Sequence, residues 1–344
     1  MGRLLNPKVL GALFIFALAV YISRTYVSVP LPSIQLPAEP IHLGPLTLPN
    51  TFIATLLTDI TVLLLAFAAT RKLSLVPSGL QNILEMAIEG FYNLTEDIAG
   101  HNAAKFFPWV MTIFLMVLIS NWWELVPGFD AIGWMESHPG MTHYETRQVF
   151  PGLKTLVNEG AYTPTGGHGE EAAEGEHEDA TETEAGEHTE EAAGEHAAGL
   201  PKNEAGNEVA VLVPFLRAAA TDLNFTLALS LISMFMVQYY GVQALGLGYF
   251  SKFLNLKGGV MGFFVGVIET ISEFAKVLSF SFRLFGNIFG GQVLLFVMAY
   301  LVPWLLPVPF YGLELFVGFI QAFVFAMLTL VFFAVAVISH DDHH

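Results

Sequence analysis

The chain alternates between long apolar stretches and short polar connections. About 20 apolar residues in helical form cross a bilayer core ~30 Å thick. Three stretches approach this length, at residues 51–70, 106–126 and 222–248. Arg71 and Lys72 directly follow the first of them, which is typical of a cytoplasmic helix end. The pattern therefore predicts an all-α polytopic membrane protein.

Two further apolar stretches are too long for a simple span. Residues 259–302 and 305–340 are separated by a proline-rich bend at Pro303, Pro307 and Pro309. A continuous helix over the first stretch would be about 66 Å long, about twice the thickness of the bilayer core. We therefore expect a long, strongly tilted helical hairpin, unless the first stretch is broken at its glycines.

Residues 77–105 follow a different pattern. Apolar positions recur every three to four residues, with acidic and amide side chains between them. This periodicity predicts an amphipathic helix that lies at the membrane interface. The apolar positions are Leu80, Ile83, Leu84, Ile88, Phe91 and Leu94.

The composition agrees with a membrane protein and argues against a cytosolic enzyme. Of the 344 residues, 54% are apolar and 13% are charged, whereas a soluble domain has roughly 25% charged residues. The net charge is −17, but twelve of the acids lie between Glu170 and Glu195. The acidity is therefore local, and nucleic acid is not an expected partner. There are no cysteines, so disulfides and thiolate metal sites are excluded.

The chain divides into four parts. Residues 1–50 contain a short apolar segment, either a membrane anchor or a cleaved signal peptide, followed by a proline-rich connector. Residues 51–130 contain the first spans and the amphipathic helix, and residues 214–344 contain the helical core with the hairpin. Between them, residues 131–213 form an acidic insert in which Gly-Glu-His occurs three times. The low apolar content of this insert predicts disorder.

Basic residues predict the orientation in the membrane. Lys and Arg are enriched at cytoplasmic ends of spans, which makes the acidic insert external and the C-terminus cytoplasmic. The basic residues at these ends are Arg3, Lys8, Arg71, Lys72, Lys252 and Lys257.

Arg283 is the most informative polar residue, because it lies within a long apolar stretch. An arginine inside the membrane costs from about 3 to more than 10 kcal/mol, and it cannot discharge by losing its proton. The nearest acids on its helix face, Glu273 and Glu269, lie ten and fourteen residues earlier. An ion pair with an acid elsewhere in the same helical bundle would be one way to compensate the charge of Arg283. The spacing favours a carboxylate on another chain.

Glu314 and Gln321 are seven residues apart and share one face of the second long stretch. An interfacial position for Glu314 and a hydrogen bond between helices for Gln321 would account for both. A polar path through the hairpin is the alternative. On the first long stretch, Asn287 shares the face of Arg283, whereas Gln292 lies about 140° from Asn287 and points to another neighbour.

Four segments carry a resemblance to a known family. Residues 281–292, which include Arg-Leu-Phe-Gly-Asn, resemble the signature of subunit a of the F-type ATP synthase membrane sector. Residues 121–127, 222–227 and 321–329 resemble further motifs of that family, and all four occur in its order. The resemblance covers about residues 50–130 and 214–340.

The resemblance implies an ion-translocating stator subunit, with protons as the expected ion, in the membrane of a bacterium. Such a subunit lies in the lipid bilayer beside a ring of c subunits, with subunit b of the peripheral stalk and the other F1F0 subunits as partners. It would bind no cofactor, metal or nucleotide of its own. Arg283 matches the essential arginine that separates two half-channels.

The other site residues follow from the same resemblance. Glu269 and Ser272 match positions in the cytoplasmic half-channel, and Glu124, Asp222 and Asn224 match polar positions near the external mouth. The family's positions around the arginine and the external half-channel are matched in this chain by Asn287, Gln292, Glu314 and Gln321.

Two features depart from the family pattern. Some members carry an ionisable residue where this chain has Gln292, paired with one at the position of Glu314, so a two-group relay lacks its second member here. The insert is also longer than usual. We expect it to be a spacer, and the alternative is that it collects protons near the channel mouth. The spacing of His168, His177, His188 and His196 does not make a compact metal site.

Two other classes of protein fit less well. A secondary transporter with a substrate-binding arginine would show internal repeats and two similarly broken helices, and the sequence has neither. A structural membrane anchor would not need an unpaired arginine deep in an apolar stretch.

Overall fold

The structure is a computed structural model that divides the chain into two units. One unit comprises Ile34–Gly133 and Pro214–His344 with Met1–Val27, and the other comprises Trp134–Val213 with Ser28–Ser33. The structure describes residues 17, 18, 20, 21, 29, 37–43, 46–71, 79–136, 143–150, 153–162, 200–202, 206–253, 259–303 and 305–338.

The first unit is mainly helical. It opens with an antiparallel hairpin of β1 (Pro40–Leu43) and β2 (Leu46–Pro49), where the sequence predicts an extended connector. A short strand, β3 (Pro127–Asp130), follows the third helix. The helices are α1 (Asn50–Thr70), α2 (Leu80–Ala99), α3 (Ala103–Trp123), α4 (Leu223–Leu245), α5 (Gly259–Leu301) and α6 (Pro307–Ala336).

Five helical segments of the described chain are long and apolar enough to cross a membrane. This confirms the prediction of an all-α polytopic membrane protein. One of the five, Gln81–Trp123, runs through α2 and α3, which are separated by a 3-10 turn at Gly100–Asn102. The interfacial location of α2 remains a prediction.

The long hairpin is formed by α5 and α6. The 43 residues of α5 make one helix without a break, about 64 Å long at 1.5 Å per residue. The chain turns through Pro303 and enters α6 with Pro307 in its first turn, where a missing N–H costs nothing. The tilt of this hairpin remains a prediction, because its length exceeds the bilayer core.

The core of the helical unit lies where α3, α4, α5 and α6 meet. Phe106, Leu284, Phe325 and Phe333 are fully buried there. The backbones of α3 and α6 approach closely at Gly318, whose carbonyl accepts a hydrogen bond from Asn121 Nδ2 at 3.1 Å. Contacts between these helices therefore fix the positions of the polar side chains on α5 and α6.

The second unit contains a four-stranded sheet, so the prediction of disorder throughout residues 131–213 does not hold at its ends. The strands are ordered β4-β7-β5-β6. Strand β7 carries a run of apolar residues that is mostly buried, whereas the acidic tract has almost no large apolar side chains. The Gly-Glu-His repeats lie outside the described residues, as does nearly all of the predicted N-terminal apolar segment. The strands are β4 (Gly133–Glu136), β5 (His143–Phe150), β6 (Leu153–Tyr162) and β7 (Val209–Pro214).

Candidate functional site

Arg283 lies on the exposed face of α5. Its guanidinium carbon is 5.9 Å from the centre of the Phe280 ring, within range of a cation–π contact. Among the described residues it has no ion pair or hydrogen bond. The cation predicted from the sequence is therefore accessible at the surface of the helical unit.

One helical turn further along α5, an amide pair joins the two helices of the hairpin. Asn287 Nδ2 donates a hydrogen bond to Gln321 Oε1 at 2.8 Å. Gln321 is buried, and its own Nε2 has no hydrogen-bond partner in the described part of the chain. The structure therefore brings these two predicted site residues into contact. The buried Nε2 of Gln321 has no hydrogen-bond acceptor among the described residues.

A second turn brings Glu314 of α6 against Gly291 of α5. A Cβ atom at Gly291 would overlap the carboxyl group of Glu314, so the absence of a side chain makes room for this acid. Glu314 is only 5% exposed, and its Oε1 lacks a hydrogen-bond partner among the residues described. A glycine therefore fixes the location of the predicted titratable group.

Gln292 reaches a residue that the sequence did not single out. Its Nε2 donates to Asp130 Oδ2 at 2.8 Å, across 162 positions of the chain. Asp130 is the last residue of the short strand β3, after α3, where no helical periodicity could reveal it. The predicted direction of Gln292, away from the face of Asn287, agrees with this contact.

Glu124 lies at the C-terminal end of α3, close to Asp130. It is 7% exposed, and both of its carboxyl oxygens are buried without a hydrogen-bond partner in the described residues. Burial raises its pKa well above the usual range, and the negative charges of Asp130 and Glu314 raise it further. Arg217 opposes this effect. The site therefore favours the protonated form of Glu124.

Arg217 is a buried cation that sequence analysis missed. Its Nη1 donates to the carbonyl of Pro37 at 2.9 Å, and its Nε donates to Thr221 Oγ1 at 3.2 Å. Its charge lowers the pKa of both Glu124 and Asp130. Arg217 lies between strand β7 and the start of α4, outside every predicted span, so the pattern of membrane spans gave no signal for it.

Asp222 and Asn224 lie at the start of α4. Asp222 Oδ1 accepts a hydrogen bond from the Asn224 backbone N–H, and its Oδ2 accepts one from Thr51 Oγ1, both at 2.8 Å. Asp222 is thus the N-cap of α4 and ties this helix to α1. The Asn224 side chain is exposed.

A second cluster of polar residues lies on the N-terminal half of α5. Glu269 and Ser272 are half-buried there. Nearby, Glu273 accepts hydrogen bonds from Gln238 Nε2 at 3.1 Å and from Lys276 Nζ at 2.9 Å. Polar side chains therefore lie on both sides of Arg283 along one helix.

The fold and these side chains define a polytopic membrane protein with an accessible arginine between two polar regions. A family model described as "ATP synthase A chain" matches residues 51–334, and the chain belongs to this family. The resemblance found in the sequence is confirmed. Membership assigns the chain to the membrane sector of an ATP synthase, in proton transport, and not to its catalytic part.

Curated relatives span almost the whole chain. ATP synthase subunit a of Moorella thermoacetica is 28% identical over 303 residues, covering 88% of this chain and 97% of the relative. ATP synthase subunit a of Helicobacter pylori (strain Shi470) is 29% identical over 290 residues, covering 83% and 89%. That of Helicobacter hepaticus is 28% identical over 291 residues, covering 84% and 90%.

Proposed function

We propose that this chain is the proton-translocating stator of the membrane sector and that Arg283 separates two half-channels leading to a rotating c-ring. The observation that carries the proposal is the exposed guanidinium on α5, which has no carboxylate partner among the described residues. Because an unpaired cation in lipid is costly, a carboxylate from another subunit is the partner that best fits this face.

The chemistry of arginine fits a one-way proton exchange. A cation within ~4–6 Å lowers the pKa of a carboxylate by about one to three units. A ring carboxylate that reaches Arg283 would therefore release its proton. Arg283 itself stays protonated, so its charge repels H⁺ and blocks a direct leak between the two half-channels.

The positions of the polar side chains support two separate paths. Gln292 lies about 13.5 Å beyond Arg283 along α5, and Glu269 lies about 21 Å before it, at 1.5 Å per residue. Together these lengths are close to the ~30 Å of a bilayer core, allowing for tilt. Asn287, Gln321 and Glu314 would line the external path, and Glu269 and Ser272 the cytoplasmic one.

The assembly follows from the same proposal. The Arg283 face of α5 would adjoin the c-ring, and subunit b and the remaining F1F0 subunits would complete the complex. The acidic insert would lie on the external side of a bacterial cell membrane and the C-terminus in the cytoplasm. Purification of the chain from solubilised membranes should bring c-ring and ATPase subunits with it.

Replacing Arg283 tests the proposal directly. Arg283→Ala should abolish ATP-driven proton pumping in membrane vesicles while the soluble ATPase head still hydrolyses ATP. Arg283→Lys should also fail to couple, because an ammonium is a point charge that can deprotonate when buried. Lys105→Ala is a matched control, since Lys105 is also a cation near an aromatic ring, 5.2 Å from the centre of Tyr240. Normal pumping by either Arg283 variant would refute the proposal.

Glu314→Gln tests the external path in the same vesicles. It removes a titratable group and keeps the shape of the side chain, so proton flux should fall without loss of assembly. If proton flux were unchanged, Glu314 would be only a packing residue of α6. The proposed external half-channel through Glu314 would then be wrong.

A further inference from the structure

Gln292 of α5 binds the side chain of Asp130, which comes from a distant part of the chain. The Gln292 side chain is buried, and its hydrogen bond to Asp130 Oδ2 is 2.8 Å long. A glutamine cannot titrate, but the carboxylate that it binds can. The contact therefore brings an ionisable group to a position where the helix itself supplies none.

The backbone fixes Asp130 in this position. Its N–H donates to the carbonyl of Leu216 at 3.1 Å, and the neighbouring Ile132 carbonyl accepts from Phe215 N at 3.0 Å. Asp130 has a φ of 55°, in the left-handed region, which Asp and Asn adopt more readily than most other residues. The unusual conformation turns its side chain toward Gln292 and Glu124.

Three acids share this buried region and lack enough donors. Glu124 and Glu314 are more than nine-tenths buried, and neither has a hydrogen bond from any described residue. Asp130 Oδ1 is also without a partner there. The other ionisable groups that face them are Arg217 and the phenol of Tyr311. A buried acceptor without a hydrogen-bond donor costs free energy. Protonation turns a carboxylate oxygen into an O–H donor, so this cluster of acids is suited to taking up and releasing protons.

We propose that Asp130 is the second proton-carrying group of the external half-channel, held by Gln292 beside Glu124 and Glu314. The inference rests on the proposed function. Asp130 takes a proton from external water, and its O–H bond then breaks as a bond forms to a carboxylate oxygen of Glu124 or Glu314. One proton moves inward and one negative charge returns to Asp130, so the charge of the group is unchanged by each transfer.

The protonation behaviour of Asp130 is consistent with this role. Burial raises its pKa to about 6, although the hydrogen bond from Gln292 and the charge of Arg217 lower it. Above about pH 6 Asp130 is ionised and can capture a proton. Below that pH it is already protonated and neutral, as an asparagine would be. Removing the acid should therefore matter most at the higher pH.

Asp130→Asn is the decisive variant, because asparagine tolerates the left-handed backbone and can keep the bond to Gln292. Passive proton flux through membranes stripped of the soluble head would be measured from external pH 5 to 8. We expect a several-fold loss above pH 6 that shrinks toward wild type below it. Asp59→Asn is the matched control, since Asp59 is a half-buried acid on α1 outside this group.

A swap variant separates titration from structure. In the double variant Asp130→Asn, Gln292→Glu, the amide and the carboxylate exchange places within the same hydrogen-bonded pair. This variant should restore part of the proton flux. Wild-type flux in Asp130→Asn at every pH would overturn the inference, as would an equal loss at every pH without rescue by the swap. Arg283→Ala, run in parallel, tells the two proposals apart. If Arg283→Ala still abolishes ATP-driven pumping in intact vesicles, only the role of Asp130 has failed.

Discussion

Adding one methyl group at Gly291 should impair proton flux without unfolding the protein. The Cβ of an alanine there would overlap the carboxyl group of Glu314. Carbon atoms in contact lie ~3.5–4.0 Å apart, so the carboxyl group must move by more than about 1 Å. Gly291→Ala therefore displaces the titratable group while leaving its chemistry intact.

The cost in stability should be small. The overlapping atoms are the far end of a flexible side chain, and forcing them off their rotamer costs about 0.5–1.5 kcal/mol. Alanine in a helix interior is more stable than glycine by about 1 kcal/mol, which offsets most of that cost. The two effects leave the free energy of unfolding within about 1 kcal/mol of wild type. Assembly and the thermal stability of the solubilised complex should therefore be nearly normal.

The functional effect should be much larger. A displacement of about 1 Å of a reacting group can lower a rate by as much as ~100-fold, so passive proton flux should fall at least several-fold. Gly312→Ala is the matched control, because a Cβ at Gly312 of α6 meets nothing within 4 Å. Glu314→Asp in the Gly291→Ala background shortens the acid and should recover part of the flux.

Two results would refute this reasoning. If assembled Gly291→Ala complexes conduct protons like wild type, the position of Glu314 does not limit the flux. If Gly312→Ala causes the same loss, the effect comes from replacing a glycine of the hairpin and not from displacement of the carboxyl group.

Two further predictions concern residues away from the hairpin. Asp222→Ala should lower the stability of the complex by about 1 kcal/mol through loss of the α4 cap, whereas Asp222→Asn keeps a capping oxygen and should be nearly normal in thermal unfolding. A flux defect in a stable Asp222→Asn complex would contradict this. Deletion of residues 167–199 should leave ATP synthesis unchanged at every pH. A defect in dilute buffer that rich buffer rescues would instead indicate proton collection by the histidines of this segment.

The spans could be predicted closely from sequence because bilayer thickness sets their length. The first predicted span, residues 51–70, is α1 (Asn50–Thr70), and the long stretch from residue 259 is α5. The amphipathic segment was predicted to reach residue 105, but α2 ends at Ala99, where Gly100 has a φ of 53°. A glycine in that conformation ends a helix, whereas the apolar periodicity alone gives no such boundary.

The sheet in the insert was missed because the acidic tract dominated the composition of residues 131–213. Strand β5 pairs with β7 through Tyr144 and Ala210, which are far apart in sequence. Short strands joined across such a distance have no local signature that distinguishes them from extended loops.

The candidate site was predictable where it follows helical spacing or a family motif. Arg283, Asn287, Glu314 and Gln321 lie on regular faces of α5 and α6, so their pattern could be recognised from the chain. Asp130 ends the short strand β3 and Arg217 lies in an irregular segment, and the contact between Gln292 and Asp130 joins residues 162 positions apart. Periodicity carries no information about such contacts.

The charges of this protein are distributed in a way that makes assembly part of its stability. Arg283 lies on an exposed face, and in a membrane an uncompensated arginine costs from about 3 to more than 10 kcal/mol. The three acids near Gln292 avoid a comparable cost if they are protonated, since a neutral carboxyl group is far cheaper to bury than a charged one. Arginine has no neutral form to adopt. The acids can therefore be accommodated within the helical unit itself, while the arginine requires a carboxylate or water from outside it.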